Sequence, residues 1–166
     1  IYMLNVIAAG AAMTVRDIYV SAQLDAIAML KTGITATIDH FSERPVLSNE
    51  GLNAACDAFR KIGIRAVVAT MFADLPYVDT IPVDKGKLPR DVVQNRSKLS
   101  AAELTDYFEI MEAAVRSTSP SARVKSILGV DGPQRCSGLL LEMTGDFQMR
   151  HQCGIHTHML ETKTQA

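Results

Sequence analysis

The segment GIHTHMLET near the end of the chain carries the residues best suited to chemistry. His156 and His158 stand one residue apart, and Glu161 follows three residues after the second histidine. Neutral imidazole is the commonest protein ligand for zinc, and a carboxylate beside a metal can move protons during hydrolysis. The spacing therefore suggests a metal-assisted hydrolytic site. Solvated histidines near a chain terminus give the same pattern, and these residues alone favour neither interpretation.

Alternating helix and strand patterns must position this segment. Helical patterns with an apolar face cover 15–33, 50–63, 101–118 and 136–154. Apolar, largely β-branched runs predict strands at 34–41, 64–72 and 123–130, and 155–161 is predicted to hold the last strand and its exit. Residues 73–98 hold prolines and charges and break the alternation, which is typical of a lid or binding loop.

The alternation predicts an α/β fold with a parallel sheet covered by helices. Two architectures satisfy it, an open doubly wound sheet or part of a (β/α)8 barrel. The GxGxxG phosphate fingerprint of the first is missing from the sequence. A complete barrel takes about 250 residues, so four strand units make roughly half of one. Residues 1–166 are predicted to form a single partial barrel domain.

Composition restricts the possible partners. The chain is 48% hydrophobic and 21% charged with a net charge of −1, which is ordinary for a soluble globular protein and argues against a nucleic-acid polymer as partner. The apolar opening stretch 1–13 is too short to span a membrane. Cys56, Cys136 and Cys153 form no CxxC pair, so we expect buried thiols in a reducing cytoplasm.

Four segments in order carry a family resemblance: TGITATIDHF, KIGIRAVVATMF, GPQRCSGLLL and GIHTHMLET. From Thr14 onward the chain resembles the amidohydrolase superfamily, in its branch of cytosine, guanine and methylthioadenosine/S-adenosylhomocysteine deaminases and triazine hydrolases. The resemblance implies strands two to five of a metal-dependent (β/α)8 barrel. Such an enzyme hydrolyses C–N bonds, usually deaminating a heterocycle with one divalent ion, and zinc is favoured here over iron.

The resemblance also assigns roles in the terminal segment. In the family's HxHxxE pattern the second histidine binds the metal, and the glutamate shuttles protons between water and the leaving amine. Those roles fall on His158 and Glu161. His156, on the same predicted strand, is expected to pack behind the ligand without binding the metal itself.

Three further residues are weaker candidates. Asp39 and His40 end the first predicted strand, so both are expected at the upper rim of the barrel, where they either support the site or make an ordinary strand-terminal turn. Arg135 could face a substrate carboxylate or phosphate, because a guanidinium suits such groups. A surface arginine beside a helix is the interpretation that we favour for Arg135.

The family's other metal ligands have no counterpart in the sequence. Its first-strand HxH pair should precede Thr14, yet residues 1–13 contain no histidine, and two later ligands would follow Ala166. One of four protein ligands is therefore present, and we expect this chain, which begins with Ile1, to be an inactive part of a larger enzyme.

Two alternatives remain open. The chain could be a catalytically incompetent half-barrel that acts only in folding or assembly, and the open strand edges of such a half-barrel predict a homo-oligomer. It could also be a doubly wound domain that binds a small molecule, in which case the strand order would reverse at a switch point.

Overall fold

The computed structural model describes residues 9–80, 83–88, 99–161 and 163. The principal helices are α1 (Val15–Lys31), α2 (Asn49–Ile62), α3 (Ala101–Ser117) and α4 (Gly138–His151). The strands are β1 (Ala36–Phe41), β2 (Arg65–Phe72), β3 (Val124–Val130) and β4 (Ile155–Thr157). Short 3-10 turns lie at Tyr77–Asp79, Lys85–Lys87 and Pro133–Arg135.

The four strands form one parallel sheet in the order β1-β2-β3-β4. The order follows the chain without a reversal, which excludes the doubly wound alternative for the described residues. The sheet curls, so that His40 at the end of β1 contacts His158, which follows β4. The fold is a half-barrel of the (β/α)8 type, and the predicted fold class is confirmed.

Local sequence explains where the helices begin and end. Thr14 and Asp17 form a capping box at the start of α1, and Ser100 and Glu103 form one at the start of α3. These reciprocal bonds satisfy backbone N–H groups that the first helical turn leaves free. Gly63 ends α2 with φ 88°, a left-handed conformation that glycine adopts without steric cost.

The core lies between the sheet and the helices. Strand residues that face the helices are almost fully buried, as are the large apolar side chains opposite them; examples are Val68, Leu128, Phe59, Met111 and Phe147. Cys56, Cys136 and Cys153 are buried free thiols, as predicted. This layer fixes the strands, and their carboxyl ends carry the residues that could act chemically.

The last strand is shorter than predicted. It ends at Thr157, which pairs with Val130, the final residue of β3. Beyond that point β3 offers no further ladder partner, and Leu160 has φ 53°, outside the extended region. The prediction that His158 belongs to the strand is wrong, because His158 lies in the exit segment that follows β4.

Two other expectations concern the loop and the membrane. In the described part of 73–98 the only regular structure is a pair of 3-10 turns, as expected for an excursion; 81–82 and 89–98 lie outside the described residues. Among the described residues, no helix combines the length and apolarity that crossing a membrane requires.

Candidate functional site

Three imidazoles meet at the carboxyl ends of the strands, on the concave face of the sheet. His40 and His158 are stacked, with ring centroids 4.5 Å apart and planes 15° apart. His156 contacts His40 edge to face, at 5.0 Å between centroids. His156 pairs with Gly129 of β3, which has no side chain, so the concave face stays open beside the rings. The curl of the sheet thus brings together residues from its two outermost strands.

The His158 ring is oriented by the backbone of Asp131, the residue that directly follows β3. Its Nδ1 lies 2.9 Å from the carbonyl oxygen of Asp131. A carbonyl can only accept, so Nδ1 carries the proton and Nε2 keeps its lone pair. Metal-binding histidines usually make such a bond to a carbonyl or carboxylate with the nitrogen that does not bind the metal. Asp131 is itself held, because its N–H donates to the Phe72 carbonyl at 3.0 Å.

His40 is kept neutral by its surroundings. Both of its ring nitrogens are buried and have no hydrogen-bond partner among the described residues. Burial, together with a smaller effect of repulsion from the neighbouring His158 and His156 rings, lowers the pKa of His40 to about 4. A neutral, unpaired imidazole is therefore packed against the face of the candidate ligand.

Arg135 links Glu161 to Asp131, the residue whose carbonyl oxygen holds the His158 ring. Arg135 donates from Nη1 to Asp131 Oδ1 at 2.7 Å and from Nη2 to Glu161 Oε2 at 3.1 Å. Its guanidinium also lies 4.9 Å from the centre of the Tyr77 ring. Arg135 is only 5% exposed. The expectation of a surface arginine is wrong, because two carboxylates and an aromatic ring draw this side chain into the interior.

The loop that carries Arg135 is fixed by the loop after β2. Asp74, buried there, accepts from the Ser137 N–H at 2.7 Å, and the Leu75 N–H donates to the Arg135 carbonyl at 3.1 Å. Ser137 caps α4, and burial raises the pKa of the adjacent Cys136 thiol to about 12, which argues against a nucleophilic role.

Sequence reasoning missed Asp74, Asp131 and Tyr77. A signal for the first two was present, since each is an acidic residue just after a strand of the parallel sheet. The carboxyl ends of parallel strands meet at one edge, so both aspartates could have been placed near the site. Nothing in the local sequence marks Tyr77 as the residue beneath the guanidinium.

Asp39 does not join the histidines. Successive strand residues point to opposite faces, so Asp39 faces the helices while His40 faces the concave side. Asp39 lines a cavity of about 280 Å³ together with Asp25 of α1. Burial, together with a smaller effect of the Asp25 charge, raises the pKa of Asp39 to about 6. Asp39 thus lies on the opposite face of the sheet from the histidines, and its expected support of the site stays a prediction.

The described residues do not assemble a complete metal site. None of them form a group of three or more histidine, cysteine, aspartate or glutamate side chains arranged to hold an ion. His40 and His158 are nearly parallel, and nitrogen lone pairs lie in the ring planes, so the two rings do not converge on one ion. The hydrogen bond at Nδ1 of His158 is of the kind that metal-binding histidines make, and it leaves Nε2 without a proton.

The fold is shared with solved hydrolase structures. No family model matches the chain, and no curated protein sequence does. Guanine deaminase from C. acetobutylicum with bound guanine superposes with a TM-score of 0.66 at 14% identity, covering 91% of this chain and 31% of that one. An atrazine chlorohydrolase mutant from Arthrobacter aurescens TC1, complexed with zinc and atraton, gives 0.63 at 17% identity, covering 89% and 30%.

A triazine hydrolase variant is also similar, with a TM-score of 0.64 at 16% identity, covering 84% of this chain and 29% of that one. At these identities the likeness establishes the fold alone. The chain spans less than a third of the length of each of these enzymes. Its four strand units match part of a larger hydrolase barrel.

Proposed function

We propose that these residues form part of a metal-dependent amidohydrolase that hydrolyses a C–N bond of a heterocycle. The observation that carries the proposal is the His158 imidazole, whose Nδ1 is held by a backbone carbonyl while Glu161 follows three residues later. Support comes from the shared fold with a guanine deaminase and with a chlorohydrolase that contains zinc.

Each residue has a distinct part in this proposal. His158 offers Nε2 as one ligand to a divalent ion, zinc favoured over iron. When bound, the ion supplies Lewis-acid activation of a water molecule. Glu161 would take a proton from the attacking water and return it to the nitrogen of the departing amine. The Glu161 side chain is 44% exposed, so it can reach a substrate while bound to Arg135.

The substrate class follows from the neighbours, which bind guanine and atraton. We propose a purine, pyrimidine or triazine ring as the ligand. Cytoplasmic placement is supported by three buried, free cysteines, which suit a reducing compartment. Turnover would require the remaining metal ligands, so we expect this segment by itself to be inactive.

The test begins with the protein isolated from its natural source. Its intact mass and its zinc and iron contents are measured, and guanine-, cytosine- and triazine-type rings are assayed for release of amine or halide. The Glu161→Gln variant should lose turnover by about 10²–10⁴-fold while retaining the metal, because the proton carrier is removed and the ligand is not. Glu142→Gln, on the exposed side of α4, is the matched control and should remain active.

Two results would reject the proposal. One is turnover by Glu161→Gln at the wild-type rate. The other is a protein of about 18 kDa without metal or activity, which would leave only the folding or assembly alternative; the chain itself has a mass of 18.1 kDa.

A further inference from the structure

Asp131 makes two bonds that lead to different parts of the site. Its carbonyl oxygen accepts from His158 Nδ1 at 2.9 Å, and its carboxylate accepts from Arg135 Nη1 at 2.7 Å. The residue is 7% exposed, and its N–H is bonded to the Phe72 carbonyl of β2. A buried residue anchored to the sheet therefore touches both the candidate ligand and the arginine that reaches Glu161.

Arg135 is held before it reaches Glu161. Its N–H donates to the Gly132 carbonyl at 2.8 Å, and its own carbonyl accepts from Leu75. The guanidinium lies over the Tyr77 ring, and its Nη1 is bound to Asp131. A buried guanidinium is costly unless it is paired, so the second terminal nitrogen keeps a strong preference for the Glu161 carboxylate. The Arg135 guanidinium is thus a fixed donor that meets the more exposed Glu161 carboxylate.

The same contacts argue against Arg135 as a substrate anchor. Both terminal nitrogens are already occupied by carboxylates, from Asp131 and Glu161. Neither nitrogen is therefore left free to bind a substrate carboxylate or phosphate. The geometry favours a role that acts through Glu161.

We propose that Asp131 and Arg135 are positioning residues that couple His158 to Glu161. Asp131 sets the ring orientation of His158 with its backbone and the Arg135 fork with its side chain, and the fork sets the Glu161 carboxylate. The purpose of this arrangement rests on the proposed function, whereas the arrangement itself can be tested without turnover.

The first test uses NMR on the 166-residue chain. Nitrogen spectra of the His158 ring should show the proton on Nδ1, and the Arg135 side chain should show slowly exchanging Nη protons. Glu161→Gln removes one charged acceptor, so exchange should accelerate by about tenfold at one Nη group and little at the other, which stays bound to Asp131. This substitution is at a partly exposed site and leaves the core intact.

Two NMR results would overturn the proposal. A His158 proton on Nε2 would show that Asp131 does not orient the ring. Unchanged Arg135 exchange in Glu161→Gln would show that the fork does not hold the glutamate.

The second test is kinetic and uses the metal-containing enzyme. Arg135→Lys keeps the charge but lacks the fork, so kcat should fall by about 10–100-fold while KM and metal content stay within about twofold. In the Glu161→Gln background the same change should have no further effect on kcat. Arg150→Lys, exposed on α4, is the control. A rise in KM with kcat retained would identify Arg135 as a substrate anchor and contradict the proposal.

The two arms separate failure of the positioning from failure of the proposed function. Absence of metal and turnover would reject the hydrolase proposal, and the NMR result would still decide whether Asp131 and Arg135 link His158 to Glu161.

Discussion

Asp39 and His40 are adjacent in β1 but face opposite sides of the sheet, and the pKa values of their side chains shift in opposite directions. Asp39 faces the helix layer and the Asp25 carboxylate, and burial raises its pKa to about 6. His40 faces the other two histidines, and burial lowers its pKa to about 4. In both cases burial disfavours the charged form and a like charge adds to the effect. Both shifts favour the uncharged form, so His40 is neutral above about pH 4 and Asp39 is neutral only below about pH 6.

The Asp39 shift predicts a pH dependence of stability. Between its ordinary pKa of 3.8 and about 6, the folded protein binds more protons than the unfolded chain. Stability contributed by Asp39 is therefore fully present below the unfolded pKa and is lost as the pH rises through 6. Asp39→Asn resembles the neutral carboxyl and does not titrate. Its free energy of unfolding relative to wild type should therefore rise by about 1–2 kcal/mol between low and neutral pH. The rise is smaller than the pKa shift alone implies, because Asp39 is partly exposed.

Urea unfolding at a series of pH values measures this difference. Asp25→Asn is the matched partner variant, because it removes the neighbouring charge and keeps Asp39. It should shift the profile in the same direction by less, since burial is the larger cause. Parallel stability profiles for wild type and Asp39→Asn would contradict the prediction.

At the residue scale the sequence indicated which residues are candidates for the site, but it did not predict most of their contacts. The HxHxxE spacing indicated His158 and Glu161 as candidates, although their roles remain proposals. It could not predict the burial of Arg135, because that depends on Asp131 and Glu161, which approach only when the loops after β3 and β4 fold together. Nor could it predict the stacking of His40 on His158, which depends on the curl between non-adjacent strands.

Strand β3 depends on one glycine for its close approach to β2. Gly129 pairs with Met71 on one side and His156 on the other. A Cβ placed on Gly129 would lie 2.6 Å from the Thr70 carbonyl oxygen and 2.8 Å from the Ala69 carbonyl carbon. These are backbone atoms within a paired strand, so they cannot move aside as a flexible side chain could. The spacing of β2 and β3 at this position therefore leaves no room for a Cβ on Gly129.

Gly129→Ala should therefore destabilise the protein by about 1–3 kcal/mol through overpacking. The His40 and His156 ring resonances should also shift, because β3 must separate from β2 beside them. Urea unfolding and NMR provide the two measurements. Gly145→Ala in α4 is the control, as a Cβ there meets nothing within 4 Å, and it should stabilise by about 0.5–1 kcal/mol. Equal stability of the two variants would disprove the close approach.

At the element scale the hydrophobic patterns predicted the order of helices and strands, with small differences at most boundaries. They failed at the last strand, because IHTHMLE alternates as a strand should. Pattern alone does not show where the neighbouring strand stops. β3 ends at Val130, so the ladder to β4 ends at Thr157, and the chain turns at Leu160.

At the scale of the whole molecule, the half-barrel has two edges that bear on assembly. Among the described residues, β1 pairs only with β2 and β4 only with β3. Ile38 of β1 is 55% exposed and Ile155 of β4 is 43% exposed. Unpaired N–H and C=O groups next to exposed apolar side chains favour pairing with another strand. All four strands run in the same direction, so either edge can receive a parallel strand.

We expect the 166-residue chain to self-associate through these edges at micromolar concentration. Sedimentation velocity should show dimers or larger species whose fraction rises with concentration. The double variant Ile38→Lys and Ile155→Lys should shift the distribution toward monomer, because charges on edge strands oppose pairing. Met149→Lys removes a side chain that is 76% exposed on α4, away from both edges, and should leave association unchanged. A sharp monomer boundary for the wild-type chain would contradict the prediction and would mean that its edges are protected in solution. An equal fraction of associated species in the double edge variant and in Met149→Lys would assign the association to another surface.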